Sequence, residues 1–360
     1  MIRANNTLFG LILLTMCAIP LALADHSLED KKIIQWGWGT PDPKFMRDNI
    51  EQMEQMPFDG LIFHIFNAQG KNLSWELWGH QRFEIEGFQQ ALTDLQSTKF
   101  HRFTELFLRV NVTPGDVDWF DDAAWAVVLN NFGVAAQIAK MGGIKGFMFD
   151  TEHYKSLLFS YSQASTKNVK SFDEYQVKAR QRGREWIQEI NRWFPDITLL
   201  LTYGYQIAQP GALQFSKEKM QYGLLADFLD GVFDACSDNT TIIDAWEPAY
   251  NYKQPEQFKK AYDTIKVKSL EWTNSPEKYR QHIRAGFGIM MDYNSHKIPW
   301  DVNDLSKNYF SPTEFENSVR VALHASDQYV WIYTQQPRWW TNQKLPKDYI
   351  EALIKARIEK

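Results

Sequence analysis

Cysteine is almost absent from this 360-residue chain, which has only Cys17 and Cys236. Two cysteines cannot build a disulfide framework or the paired motifs of a zinc ribbon. Histidine is thin as well, with eight residues scattered along the chain. That spacing lacks the clustered early pair of a barrel metallohydrolase. A site from His64, Asp150 and His153 is the one metal arrangement left open. Excess positive charge is missing too. The net charge of −5 argues against a nucleic-acid-coating protein. There is no G-x-S-x-G elbow, no P-loop and no H-E-x-x-H helix, and the glycines of AGFGIMM are too few for a dinucleotide loop. No internal repeat and no low-complexity tract interrupts the chain.

Long apolar runs are missing with one exception. Arg3 precedes LFGLILLTMCAIPLALA, which is short for a membrane span and ends in Ala22-Leu23-Ala24. This reads as a secretory signal over residues 1–24, cleaved near Ala24-Asp25. The expectation is a mature chain of residues 25–360, periplasmic or secreted, with no stable membrane insertion after cleavage. Cys236 is then the only cysteine left.

What is present is a globular composition, 44% hydrophobic and 23% charged, with aromatics at 15% and 14 tryptophans. Such a set serves a large core or supplies flat apolar platforms for a sugar. Short β-rich runs recur: KKIIQWGWG (31–39), DGLIFHIF (59–66), TELFLRVNV (104–112), IKGFMFD (144–150), ITLLLTYGY (197–205), AGFGIMMDY (285–293) and QYVWIYT (328–334). A sixth unit lies within 230–247, where DGVFDAC and TIIDAWE compete for the strand. Amphipathic helical segments fall between them, including PKFMRDNIEQMEQM, FDDAAWAVVLNNFGVAAQIAKMGG, SPTEFENSVRVALHAS and a long one opened by Ser171 and Glu174, spaced as a capping box. Eight strand–helix units predict an α/β fold, a single-domain (β/α)8 TIM barrel. Residues 250–284 read as a helical and loop insertion. An open doubly wound sheet is disfavoured, because QWGWGTPDP is no glycine fingerprint.

In such a barrel chemistry gathers where strands end. Those ends carry Trp36 and Trp38, His64, Arg109 and Asn111, Asp150 and Glu152, then His153. Further along come Tyr203, Glu247, Asp292 with Tyr293, and Gln335 with Arg338, Trp339 and Trp340. Along the fourth strand, period two puts Gly146, Met148, Asp150 and Glu152 on one face and Phe147 and Phe149 on the other. Small or slim residues suit the barrel interior and phenylalanine the layer under the helices, so both carboxylates point over the mouth. Each of these residues also has a plain structural use: Asp150 as a strand-end acceptor, Arg109 as an ion-pair partner, Trp339 and Trp340 as core cover.

Two carboxyl groups among aromatic walls fit acid–base cleavage of a glycosidic bond. One protonates the leaving oxygen while the other attacks or activates water. The export signal, the eight-unit barrel, the acidic end of strand four and the aromatic mouth resemble the TIM-barrel glycoside hydrolases. More narrowly, FDTEHY is similar to the end of the D-G-x-D-x-D-x-E motif of family 18 chitinases, with Asp150 and Glu152 on its last two acidic places. Lys145 and Met148 stand at the two earlier ones. The resemblance implies a poly- or oligosaccharide substrate, no cofactor and no metal, with Glu152 as general acid/base. It implies Glu247 or else Asp292 as the partner carboxylate, and Asp150 as a tuning or orienting residue. Trp36, Trp38, Tyr203, Trp339 and Trp340 are then expected to line sugar subsites, with His64, Arg109, Asn111, His153, Tyr293, Gln335 and Arg338 binding substrate. Two rivals remain: a non-catalytic carbohydrate-binding barrel and a metal-dependent hydrolase.

Overall fold

The computed structural model describes residues 28–209, 216–294 and 299–358. The signal segment, Cys17 and the expected cleavage point near Ala24-Asp25 lie outside the described residues. Nine short strands form one parallel ring: β1 Lys32–Gly37, β2 Gly60–Phe63, β3 Glu105–Asn111, β4 Gly146–Asp150, β5 Thr198–Leu201, β6 Thr241–Asp244, β7 Ile283–Ala285, β8 Phe287–Met290 and β9 Tyr329–Thr334. Neighbours pair in chain order from β1 to β7, and β9 pairs with both β1 and β8. Only Gly286 separates β7 from β8, so 283–290 is a single seventh staff broken at one residue. Its first half pairs with β6 and its second with β9. The Gly286 amide donates to Asp244 O at 2.8 Å, carrying the ring through the break. The result is the closed eight-staved barrel that the strand–helix rhythm predicts.

The competition in the sixth unit has a clear outcome. DGVFDAC forms the end of helix α5 (Leu225–Ala235), which follows α1 Pro43–Met53, α2 Gln89–Ser97, α3 Asp122–Met141 and α4 Phe172–Trp193. TIID is the strand, its β-branched residues suiting a site buried on both faces. The 250–284 region carries α6 Pro255–Asp263, α7 Ser269–Trp272 and α8 Pro276–His282. Helices α9 Pro312–Ala325 and α10 Lys347–Ala356 complete the set. The Ser171–Glu174 box is formed in both directions at the start of α4, satisfying amides that have no partner within the helix. Helices α4 and α5 touch backbone to backbone. A Cβ on Gly183 would lie 2.0 Å from Phe228 O, and one on Gly231 2.0 Å from Arg180 O.

Strand parity sorts the core into two layers. Ile34, Trp36, Ile62, Phe107, Met148, Leu200, Ile243, Ala245, Tyr329 and Trp331 fill the barrel interior. Phe147 and Phe149 face outward, into the layer shared with the helices. There Phe149 stacks on Trp186 with ring centroids 4.9 Å apart, and Trp78 meets Trp125 edge-on at 5.4 Å. Much of the aromatic content is therefore core, each buried ring contributing about 1.5–3 kcal/mol. Cys236 is buried, and burial pushes its thiol up to about 11, so it packs as a small apolar residue.

Candidate active site at the barrel mouth

Strand β4 delivers Asp150 to the barrel mouth with its side chain fully buried. Arg109, from β3, donates from Nη2 to Asp150 Oδ2 at 2.7 Å. The Tyr154 hydroxyl donates to the same oxygen at 2.8 Å, and the Glu152 amide donates to Oδ1 at 3.1 Å. The last bond ties the two carboxylates' positions together. Asp150 fixes the backbone just beyond the strand, and Glu152 stands half-buried above it. The Arg109 guanidinium lies over three rings, those of Trp36 (5.1 Å), Trp75 (4.9 Å) and Tyr154 (5.7 Å). Its charge is thus matched by a carboxylate and bracketed by aromatic faces.

Glu247 arrives from two strands along the ring, just after β6. The turn that presents it is strained: Trp246 sits at φ 34°, ψ 70°, a left-handed conformation that costs a residue with a side chain about 1–3 kcal/mol. Asp244 steadies this turn by accepting the Trp246 amide at 3.2 Å, and its own carboxyl is pushed up to about 7 by burial. The Tyr203 hydroxyl donates to Glu247 Oε1 at 3.2 Å. Burial pushes the Glu247 carboxyl well above the usual range, and the charges of Asp150 and Glu152 push it further; Tyr203 and Arg109 oppose this. Glu152 is also raised, first by burial and then by Asp150, against the pull of Tyr154 and Arg109. Three acids from β4 and β6 therefore share one electrostatic environment.

The other residues singled out from the sequence divide into two groups. Tyr203, Arg109 and Trp36 meet at this cluster. His153 stacks flat on Tyr222 at 4.3 Å and accepts the Phe159 amide at Nε2, and burial lowers its pKa to about 4. His64 and Trp38 lie on the rim, with Trp38 61% exposed. Asn111 is buried and turned to its own loop, accepting the Thr113 amide at 3.1 Å. Asp292 stands apart from the cluster. Both its oxygens accept main-chain amides, from Gln335 at 3.0 and 3.2 Å and from Gln336 at 2.7 Å, so it braces the loop after β9. Gln335 supplies backbone to that brace. Tyr293 packs on Tyr309 at 4.8 Å. Trp339 and Trp340 turn inward against Phe58 and are 1% and 5% exposed, which leaves little face free for a sugar. Core cover is the use their burial supports.

Sequence reasoning missed Trp75, Tyr154, Tyr222, Tyr250 and Tyr333. Tyr250 stacks on Tyr333 at 5.3 Å, and Tyr333 meets Trp36 edge-on at 5.5 Å, so an aromatic wall runs from the Glu247 side back to β1. A cavity of about 590 Å³ opens between this wall and Arg109. Among the described residues no group of three or more His, Cys, Asp or Glu is placed to hold a metal, and His64, Asp150 and His153 are engaged separately. No helix among them is long and apolar enough to cross a membrane.

No protein-family model matches the chain, and no curated protein matches it in sequence. Solved structures do align with it along most of its length. A glycoside hydrolase family 5 enzyme from Prevotella bryantii, crystallised with a xyloglucan oligosaccharide, aligns at 11% identity and TM-score 0.49, covering 92% of this chain and 97% of its own. A broad-specificity endoglucanase from an uncultured bacterium aligns at 13% identity and TM-score 0.48, covering 89% and 85%. A chitinase from Bacteroides thetaiotaomicron aligns at 11% identity and TM-score 0.47, covering 92% and 97%.

Proposed function

We propose that the chain is a glycoside hydrolase acting on a poly- or oligosaccharide, with Glu152 and Glu247 as its working carboxyls. One observation carries this reading: two acids from different strands, both pushed upward by burial, stand in one environment under an aromatic wall. Glycosidic cleavage needs two carboxyls in opposite protonation states, and mutual repulsion in a buried site enforces that difference. Glu152 is the proton donor to the leaving oxygen. Glu247, held as an acceptor by the Tyr203 hydroxyl, is the ionised partner that attacks the anomeric carbon or activates water. Asp150 is a positioning residue, locked by Arg109 and Tyr154 and holding the Glu152 backbone. The secretory reading of residues 1–24 fits an enzyme that meets its glycan outside the cytoplasm.

The reverse assignment has its own support, because the upward push on Glu247 is the stronger of the two. Aryl glycosides separate them. Glu152→Gln is expected to lose about 10²–10⁴-fold on a natural glycan. It keeps far more activity on a dinitrophenyl glycoside, whose leaving group needs no proton. Glu247→Gln is expected to fail on both. The opposite pattern reverses the roles. Full activity of both variants on a confirmed glycan sinks the proposal, as does activity that disappears on chelation and returns with metal. Glycan binding with no turnover at all supports the carbohydrate-binding rival.

A further inference from the structure

The mouth is electrically lopsided. Asp150, Glu152 and Glu247 occupy the side built by β4 and β6. The 590 Å³ cavity opens on the side built by β1, β2, β3 and β9, with Tyr154 reaching in from the loop after β4. Its three basic wall groups are Arg109, Arg338 and His64, beside the phenols of Tyr154 and Tyr333, and no carboxylate lines it. Two of these three basic groups bring no free positive charge. Arg109 is matched by Asp150. Burial pulls the His64 pKa down, which favours the neutral ring.

Arg338 is different. Its Nη1 donates to the main-chain carbonyls of Gln335, Gln336 and Pro337. Carbonyls orient a guanidinium but do not neutralise it. Among the described residues Arg338 makes no ion pair. Nearby Asp292 feels the Arg338 charge but makes no direct contact with it, its oxygens being turned to the Gln335 and Gln336 amides. The side chain is also held in place. Its stem crosses Gly39, where a Cβ would lie 2.8 Å from Arg338 Cδ, and its amide donates to Gln343 O at 2.9 Å. Gly39 has φ +86°, so the position suits glycine twice over. A fixed, half-buried guanidinium with no carboxylate in direct contact, facing an aromatic-walled cavity, is a preorganised anion receptor.

We infer that this arm of the mouth is a subsite for a sugar unit bearing an anionic group, a uronate carboxylate or a sulfate ester, received by Arg338. This deepens the glycosidase reading and rests on it. The lopsided charge would also set the direction of the chain, with the anionic unit over Arg338 and away from Glu152 and Glu247.

The test uses the full chain carrying Glu152→Gln, so that binding is read without turnover. The probes are neutral, uronate-bearing and sulfate-bearing oligosaccharides of matched backbone and length, measured by calorimetry. The acidic members are expected to bind about tenfold or more tighter than their neutral parents. That preference should shrink as salt rises toward about 0.5 M. Adding Arg338→Gln should bring the ratio close to one, and Arg338→Lys should leave an intermediate ratio, since it keeps the charge but loses the planar fork. Comparing the uronate and sulfate arms identifies the anion. Equal affinity for neutral and acidic probes overturns the inference, and so does a preference that survives Arg338→Gln; in both cases the glycosidase reading stands. If the unsubstituted chain neither binds nor cleaves any glycan, the glycosidase reading falls and takes the inference with it.

Discussion

Replacing Arg109 with methionine tests the physical centre of the site, because it leaves a buried carboxylate without its cation. The Asp150 side chain is 0% exposed and that of Arg109 15% exposed, so solvent screens the pair poorly. Removing one partner of such a pair typically costs about 3–5 kcal/mol. Tyr154 and the Glu152 amide still bond Asp150 in the variant, which puts the expected loss at the lower end, about 3 kcal/mol. The lost contacts with the Trp36 and Trp75 rings add up to about 1 kcal/mol each. At about 2 °C per kcal/mol for a domain of this size, the melting temperature should fall by roughly 6 °C or more. Urea titrations at neutral pH supply the free energies. The second half of the cycle uses Asp150→Asn, which removes the charge that needed pairing. In the Arg109→Met background it should recover at least about 2 kcal/mol, a coupling well beyond ordinary non-additivity. An Arg109→Met loss under about 1 kcal/mol, or strictly additive single substitutions, would refute the account of Asp150 as a locked, charge-paired anchor.

Two further outcomes follow from the same structure. The Asp244 carboxyl is raised from 3.8 to about 7, so the folded chain holds a proton there that the unfolded chain releases. Its contribution to stability is present below about pH 4 and is lost as pH rises through 7, a span worth about 4 kcal/mol. Asp244→Asn should therefore flatten the stability–pH curve between about pH 4 and 7 and raise stability at pH 8. An unchanged slope counts against the burial argument. Gly231→Ala places a methyl 2.0 Å from Arg180 O between α4 and α5 and should cost about 1–3 kcal/mol or more by forcing the helices apart. A melting temperature equal to that of the parent would show that the helix pair yields freely there.

The barrel was legible because its signal is local and repeated. Period-two parity placed Met148 inside and Phe147 and Phe149 outside before any coordinates, and Ser171–Glu174 announced the start of α4. The sixth unit was not legible. DGVFDAC is as apolar as a strand, but it continues the helix begun at Leu225, and only the pairing of TIID with β5 and β7 decides between them. Strand ends pointed to Glu152, Glu247, Asp150, Arg109 and Tyr203. They also pointed to Asp292, whose backbone brace has no signature in the letters. Trp75, Tyr222 and Tyr250 stand outside the strands, and a loop residue's destination depends on the whole chain between it and its neighbours. Glu247 was chosen from its place beyond the sixth strand, not from the shape of Ala245-Trp246-Glu247-Pro248. A tryptophan in a left-handed turn cannot be read from sequence, yet the turn is what aims Glu247.

The ring closes where Lys32 lies opposite Tyr329, pairing the first strand with the last. During synthesis β1 emerges long before β9, and its outer edge stays unsatisfied until residues 329–334 have followed. Until then the nascent sheet exposes a ladder of free amides and carbonyls that any extended peptide could join. The same seam gives the finished molecule a form of quality control. A chain truncated before residue 329 lacks the staff that both β1 and β8 require, so it leaves two open edges instead of one slightly shorter barrel. Loss of the chain from residue 329 onward should thus show as aggregation rather than as a weaker enzyme.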